Sequence, residues 1–192
     1  MLNIYQNFTE KYRPKSFKDI LGQEKAIGEI KVFLGEFPKK RALLLYGPAG
    51  TGKTSLVFSA AKENDLEIFE LNASDLRNRT KLEEILKPAS IQQSLLKKGK
   101  IILMDEVDGV TGTDIGGIPE LIRVLEITKH PIIMTCNDVW QSKFSQLRQK
   151  CKLIEIKSLS REIILVILKN ISIKENIKVD YEFLNKLVIK SQ

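Results

Sequence analysis

The chain has 192 residues, of which 43 % are hydrophobic and 29 % charged, a globular balance that argues against disorder. That length suits one ordinary domain, or one domain with a small appendage, and no apolar run is long enough to span a membrane. The formal net charge of +7 is compatible with an anionic partner such as nucleic acid, although lysines spread over solvated faces give the same sum. The first residues, "MLNIYQNFTEKYRPK", lack the uninterrupted apolar stretch and small-residue cleavage site of a secretion signal. Cys136 and Cys151 read as reduced, buried thiols, so the expected compartment is the cytoplasm.

Along the chain, short apolar runs alternate with longer helical periods. Gln23–Phe37 reads as an amphipathic helix ended by Pro38. The strand Ala42–Tyr46 follows, then a helix over Lys53–Lys62 and a strand over Glu67–Leu71. Thr80–Lys97 is the next expected helix, opened by a Thr80-x-x-Glu83 capping box, with Leu82, Ile85, Leu86 and Ala89 on its inner face. Pro88 should kink or interrupt it. The strand Ile101–Asp105 precedes a helix over Ile118–Thr128, which has Pro119 near its start and Ile118, Leu121, Ile122 and Leu125 facing inward. Strands over Ile132–Cys136 and Leu153–Ile156 complete the set.

Near-continuous apolar strands separated by helices predict a doubly wound α/β fold with a parallel five-stranded sheet. After Ser158 only helices are expected, with Ser160 and Asp180 as N-caps. The expected division is a core over 1–158 and a partial helical domain over 159–192. Two such helices cannot build a full core alone.

Gly47–Thr54, "GPAGTGKT", fits G-x-x-x-x-G-K-[ST] and lies between a strand and a helix. Gly47, Pro48, Ala49, Gly50, Thr51 and Gly52 would turn backbone N–H groups toward phosphate oxygens, and the start of the next helix, with Ser55, adds positive potential. Lys53 can reach the β- and γ-phosphates of ATP, and Thr54 can ligate Mg²⁺. A carboxylate at the end of a neighbouring parallel strand reaches the same edge of the sheet. Asp105 is thereby expected to hold Mg²⁺, directly or through water, and Glu106 to polarise a water for attack on the γ-phosphate. Asp108 reads as part of a solvated acidic turn. A kinase passing the phosphoryl group to a small acceptor and an ATPase passing it to water both remain open, and the adjacent Asp-Glu pair favours the ATPase.

Further stretches occur in a telling order: "TEKYRPKSFKDILGQ" (9–23), the phosphate loop, "ELNASD" (70–75), "LMDEVDG" (103–109) and "TCND" (135–138). Together they resemble the AAA+ ATPases of clamp loaders, in particular the large-subunit branch of archaeal replication factor C, over nearly the whole chain. The resemblance implies a P-loop core followed by a helical lid, incomplete here. It implies ATP-driven opening of a sliding clamp, which is placed on primer–template DNA without sequence specificity. One large and four small subunits would form the assembly. It also implies that Tyr12, Arg13 and Pro14 line the adenine and ribose, that Ile20 and Gly22 close the base pocket, and that Asn137 orients the attacking water.

Two departures stand out. Small clamp-loader subunits carry Ser-Arg-Cys before the last core strand, and its arginine serves the neighbour's ATP. Here "RQKC" (148–151) has Lys150 at that position, and Lys150 lacks the planar fork of a guanidinium. The family's lid also continues into a helix with a second sensor, so the chain reads as a fragment or as one piece of a split large subunit. An arginine finger is therefore expected from a partner subunit. Arg77, Asn78, Arg79 and Thr80, at an expected helix start, suit DNA phosphates. Residues 112–126 are the candidate clamp-facing element, although Ile118, Leu121 and Ile122 fit core packing better than an interface. His130 carries no assigned chemistry. Alternatives are another AAA+ DNA-handling ATPase of origin-binding or branch-migration type, and a non-catalytic ATP-binding scaffold.

Overall fold

A computed structural model of the chain describes residues 7–72, 82–94, 97–109 and 117–190. Its contacts divide the chain into two compact units. One runs from Pro14 to Lys157; the other joins the residues up to Arg13 with those from Ser158 onward.

The larger unit is a five-stranded sheet of β1 (Ala42–Tyr46), β2 (Leu66–Asn72), β3 (Gly99–Asp105), β4 (Ile132–Cys136) and β5 (Lys152–Glu155). The strand order is β2-β3-β4-β1-β5 and every neighbouring pair is parallel. The doubly wound expectation holds, and alternate side chains of the central strands feed two separate cores. Ala42, Leu44, Ile102, Met104, Ile132 and Met134 point to one face, and Leu43, Leu45, Ile101, Leu103 and Ile133 to the other. This period-2 division explains why these strands read as unbroken apolar runs: neither face meets water.

Helices α2 (Glu24–Gly35) and α3 (Lys53–Glu63) cover the second face. In α2, Ala26, Ile30 and Phe33 lie at helical spacing and are buried, each larger side chain contributing about 1.5–3 kcal/mol. The short helix α1 (Phe8–Lys11) precedes them in the other unit. On the first face lie α4 (Lys87–Ile91), α5 (Gly117–Ile127) and α6 (Ser145–Lys150). Leu121, Val124 and Leu125 form the inner stripe of α5, with Ile118 and Ile122 half-buried against it.

The helix expected over Thr80–Lys97 is corrected by the structure. Leu82–Leu86 is a π-helical turn, and α4 ends at Ile91. Pro88 sits in the first turn of α4, where a missing N–H costs nothing. A π-turn inserts a residue into the 3.6 repeat, so the predicted inner face slips: Leu86 and Ala89 are buried, whereas Ile85 is 40 % exposed. The Thr80–Glu83 capping box lies outside the residues whose side chains are described.

In the smaller unit, α7 (Arg161–Lys174) and α8 (Tyr181–Lys190) are capped as expected. Ser160 Oγ accepts from the Ile163 N–H (3.4 Å) and Asp180 Oδ1 from the Phe183 N–H (2.6 Å). Lys11 Nζ and Tyr12 Oη both donate to Glu175 Oε1, at 2.5 and 2.6 Å. Those two hydrogen bonds, Lys11 first, hold the Glu175 carboxyl below its usual range.

Candidate functional site

The parallel strands deliver their C-terminal ends to one edge, where Lys53, Thr54, Asp105 and Asn137 meet. β4 lies between β1 and β3, and its end supplies Thr135, paired with Leu45, and Cys136, paired with Tyr46. Gly47 leaves β1 with φ +150, and its N–H donates to the Cys136 carbonyl (3.3 Å). A Cβ built on Gly47 would lie 2.0 Å from the Ile156 carbonyl oxygen, so only glycine fits where the loop crosses the end of β5.

Pro48, Ala49 and Gly50 are exposed, whereas Thr51 is buried and closes the loop by donating to the Pro48 carbonyl (2.9 Å). Gly50 (φ +74) and Gly52 (φ +93) adopt left-handed backbone, and Gly52 is the N-cap of α3. Nothing stands within 4 Å of where a Cβ would be at either glycine. This backbone can present a ring of N–H groups to an anion at a helix start.

Lys53 is buried and donates to the carbonyls of Gly47 and Pro48 (both 2.8 Å) and to Asn137 Oδ1 (3.1 Å). Burial lowers its pKa, opposed by the negative charges of Asp108, Asp105 and Glu106. The ammonium therefore rests on loop carbonyls and the Asn137 side chain.

Thr54 Oγ1 donates toward Asp105, 3.1 Å from Oδ1 and 3.0 Å from Oδ2. Thr135 Oγ1 donates to Asp105 Oδ1 and accepts from the Glu106 N–H at 3.0 Å. Buried Thr135 is thus a bridge that fixes both acids, a role its sequence context did not disclose. Glu106 has φ +54, uncommon for a non-glycine, and its side chain is exposed. The hard oxygens of Thr54 and Asp105 fit Mg²⁺, which commonly binds one or two protein oxygens together with substrate phosphates.

Asp108 is not a free solvated acid. It lies in a 3₁₀ turn, Val107–Gly109, and its Oδ2 accepts from the Asn137 N–H (2.9 Å). Its Oδ1 is buried with no partner among the described residues. The sequence reading also missed Gln23. Its buried amide donates to the Lys157 carbonyl (2.8 Å) and toward the Thr51 carbonyl (3.4 Å), tying the segment that carries Ile20 and Gly22 to the phosphate loop. The one available sign was a glutamine, a poor N-cap, immediately before a helix. Ile20 is buried among the second core, and the Gly22 N–H donates to Glu24 Oε1 (3.1 Å). Pro14 is half-buried in this unit. Tyr12 and Arg13 belong to the other unit, where Tyr12 engages Glu175 and Arg13 pairs with Glu10 (2.6 Å).

Neither basic candidate near β5 is free for this loop. Arg148 donates to the carbonyls of Val139 (2.7 Å) and Gln141 (3.1 Å) and lies over the Trp140 ring. Lys150 pairs with Glu126 (3.1 Å) at the opposite edge of the sheet. Arg77, Asn78, Arg79 and Thr80 lie outside the described residues, as do 112–116 of the candidate clamp element. No described helix is long and apolar enough to cross a membrane.

Residues 43–158 match the family described as "ATPase family associated with various cellular activities (AAA)". Over 187 residues the chain is 44 % identical to the replication factor C large subunit of Staphylothermus marinus, covering 95 % of this chain and 44 % of that one. It is 42 % identical to the corresponding subunit of Thermofilum pendens over 94 % of this chain and 45 % of that protein. With the one from Aeropyrum pernix it shares 42 % over 95 % of this chain and 39 % of the relative. The chain thus spans less than half the length of these relatives.

Proposed function

This chain belongs to the AAA family of ATPases, and on that footing we propose that it is the nucleotide-binding part of a clamp-loader large subunit. The assembly would act in the cytoplasm with small subunits, open a sliding clamp and place it on primer–template DNA. Similarity to proteins named replication factor C large subunit supports that role. The observation that carries the catalytic half is the convergence of Lys53, Thr54, Asp105 and Asn137 on one sheet edge.

Bound ATP supplies the phosphoryl group, and Mg²⁺ neutralises charge on its phosphates. The loop 47–52 would bind the phosphates through backbone N–H groups, and Lys53 would exchange its loop carbonyls for phosphate oxygens. Thr54 and Asp105 would hold the metal, while Thr135 keeps the Asp105 carboxylate oriented. Glu106, free of side-chain partners among the described residues, would take the proton of the attacking water. Asn137 would orient that water, with Asp108 fixing its backbone. Ile20 and Gly22, tied in by Gln23, would border the base, and Pro14 would complete that side. The core would run through residue 158 and the lid helices from 159. Arg77–Thr80 would meet DNA phosphates.

Lys150 and Arg148 are both committed elsewhere, which supports an arginine supplied by a small subunit. ATP hydrolysis measured with and without small subunits, clamp and primed DNA tests the reading. Strong stimulation by the full set is expected. Full activity from this chain alone would overturn the need for a partner's arginine, and failure to retain the clamp would overturn the loading role.

A further inference from the structure

The parallel topology that gathers the nucleotide residues at one edge gathers a different set at the other. The strand starts lie about 17 Å away, at roughly 3.3 Å per residue of a five-residue strand. Three of the five strands are led in by basic residues at this edge: "KKR" (39–41) before β1, "KK" (97–98) before β3, and Lys150 before β5, which itself opens with Lys152. β4 is led in by Lys129 and His130. These stretches are far apart in sequence, and only the parallel sheet aligns them.

Two open hollows lie along this edge. One, of about 390 Å³, is lined by Lys39, Arg41, Glu126, Lys150 and Lys152 among others. The other, of about 580 Å³, includes Lys97, Lys98 and Lys129. Some of the cations are already used: Arg41 donates to the Glu126 carbonyl, Lys150 pairs with the Glu126 carboxylate, and Lys152 donates to the Glu29 carbonyl. Lys39, Lys40, Lys97, Lys98 and Lys129 are exposed, and no carboxylate among the described residues pairs with them. The backbone beneath them is held: the Lys98 N–H donates to Asp65 and the Lys129 N–H to Ser90. Glu36, Asp65 and Glu126 are the acids of these turns, and the bases outnumber them.

We propose that this edge is a sequence-independent binding surface for duplex DNA, separate from the nucleotide site. Protein–protein interfaces are depleted in lysine and anchored by aromatic residues or arginine, whereas this edge offers exposed lysines, one aromatic residue, half-buried Phe37, and an Arg41 already bonded to the Glu126 carbonyl. Lysine point charges suit backbone phosphates. Five strands span roughly 19 Å at 4.8 Å spacing, and duplex of that length carries about eleven phosphate charges. The proposal rests on charge and topology and does not depend on the clamp-loader reading.

The test is anisotropy of a labelled random-sequence duplex with the whole chain between 50 and 200 mM salt. The variants are Lys39→Gln/Lys40→Gln/Lys97→Gln/Lys98→Gln, the same four changed to Arg, and Arg77→Gln/Arg79→Gln. The quadruple Gln variant should bind at least about tenfold more weakly at 50 mM, with a log–log salt slope shallower by roughly 3 to 4. The quadruple Arg variant should bind like the parent. ATP binding, read with a fluorescent analogue, should be unchanged in both and reports an intact fold. Parental affinity and slope in the quadruple Gln variant would overturn the proposal. So would loss of binding only in Arg77→Gln/Arg79→Gln, absence of duplex binding by the parent at 50 mM, or equal affinity for polyglutamate of matched charge.

Discussion

Thr54 Oγ1 and the two carboxylate oxygens of Asp105 lie 3.1 and 3.0 Å apart, across the end of a strand that belongs to neither residue. A hydroxyl that donates here has its lone pairs free for a metal, and the carboxylate is already oriented by Thr135. Thr54→Val is therefore expected to remove most of the Mg²⁺ enhancement of ATP affinity, while Thr54→Ser keeps it. Nucleotide titrations with Mg²⁺ and with chelator measure this, and undiminished Mg²⁺ dependence in Thr54→Val would sink the assignment.

Glu106→Gln should retain ATP affinity within about twofold and lose about 10²–10⁴ in hydrolysis, the range for a general base. Single-turnover ATP hydrolysis is the measurement. Gln can occupy the same φ +54 backbone with no greater strain, so a fall in ATP affinity alongside rate would point instead to a structural role.

Asp108→Ala deprives the Asn137 N–H of its acceptor. Hydrolysis should fall about tenfold or more with ATP affinity nearly unchanged, and combining it with Asn137→Ala should add little, because both act through one contact. Full additivity in that double-mutant cycle would separate the two residues.

Gly47→Ala should destabilise by roughly 1–3 kcal/mol from overpacking alone, since its Cβ would meet the Ile156 carbonyl at 2.0 Å, with backbone strain in addition. Gly50→Ala has space but φ +74 and should cost about 1–2 kcal/mol. Gly28→Ala, inside α2 with nothing within 4 Å, should gain about 0.5–1 kcal/mol. Urea denaturation of the three variants checks the ranking, and a neutral Gly47→Ala would contradict the close approach to β5.

Burial pushes both Cys136 and Cys151 up to about 12. A thiol in the unfolded chain ionises near 8.5. A folded pKa above the unfolded one lends stability that is complete below about pH 8.5 and is lost as pH rises toward 12. The urea midpoint should accordingly fall between pH 8 and 10, less so in Cys136→Ala/Cys151→Ala. Buried Cys136 should label slowly with a thiol reagent at pH 8 and rapidly in denaturant, and half-buried Cys151 should label faster than Cys136. Fast native labelling of Cys136 would rule out its buried, neutral state.

Local patterns carried much of this protein. Apolar runs located all five strands to within one or two residues at each end, because strands buried on both faces leave no other signature. Ser160 and Asp180 were legible as caps because capping is decided within three residues. That the loop Gly47–Thr54 and the acids Asp105 and Glu106 share one edge was legible because a glycine-rich strand-to-helix turn and the end of a neighbouring parallel strand must come together there. The slipped face at Ile85 was not, since a π-turn leaves no mark in a 3.6-residue pattern.

What depends on strand order could not be read from any single stretch. Placing β4 between β1 and β3 brings Thr135 to Asp105, and Asn137 to both Lys53 and Asp108. The approach of Gly47 to Ile156, the tie from Gln23 to Lys157, and the alignment of basic strand starts along one edge have the same origin. Side-chain spacing encodes what neighbours along the chain can do together. Which strands become neighbours is settled by how two apolar faces of one sheet are buried at once, and that is a property of the whole fold.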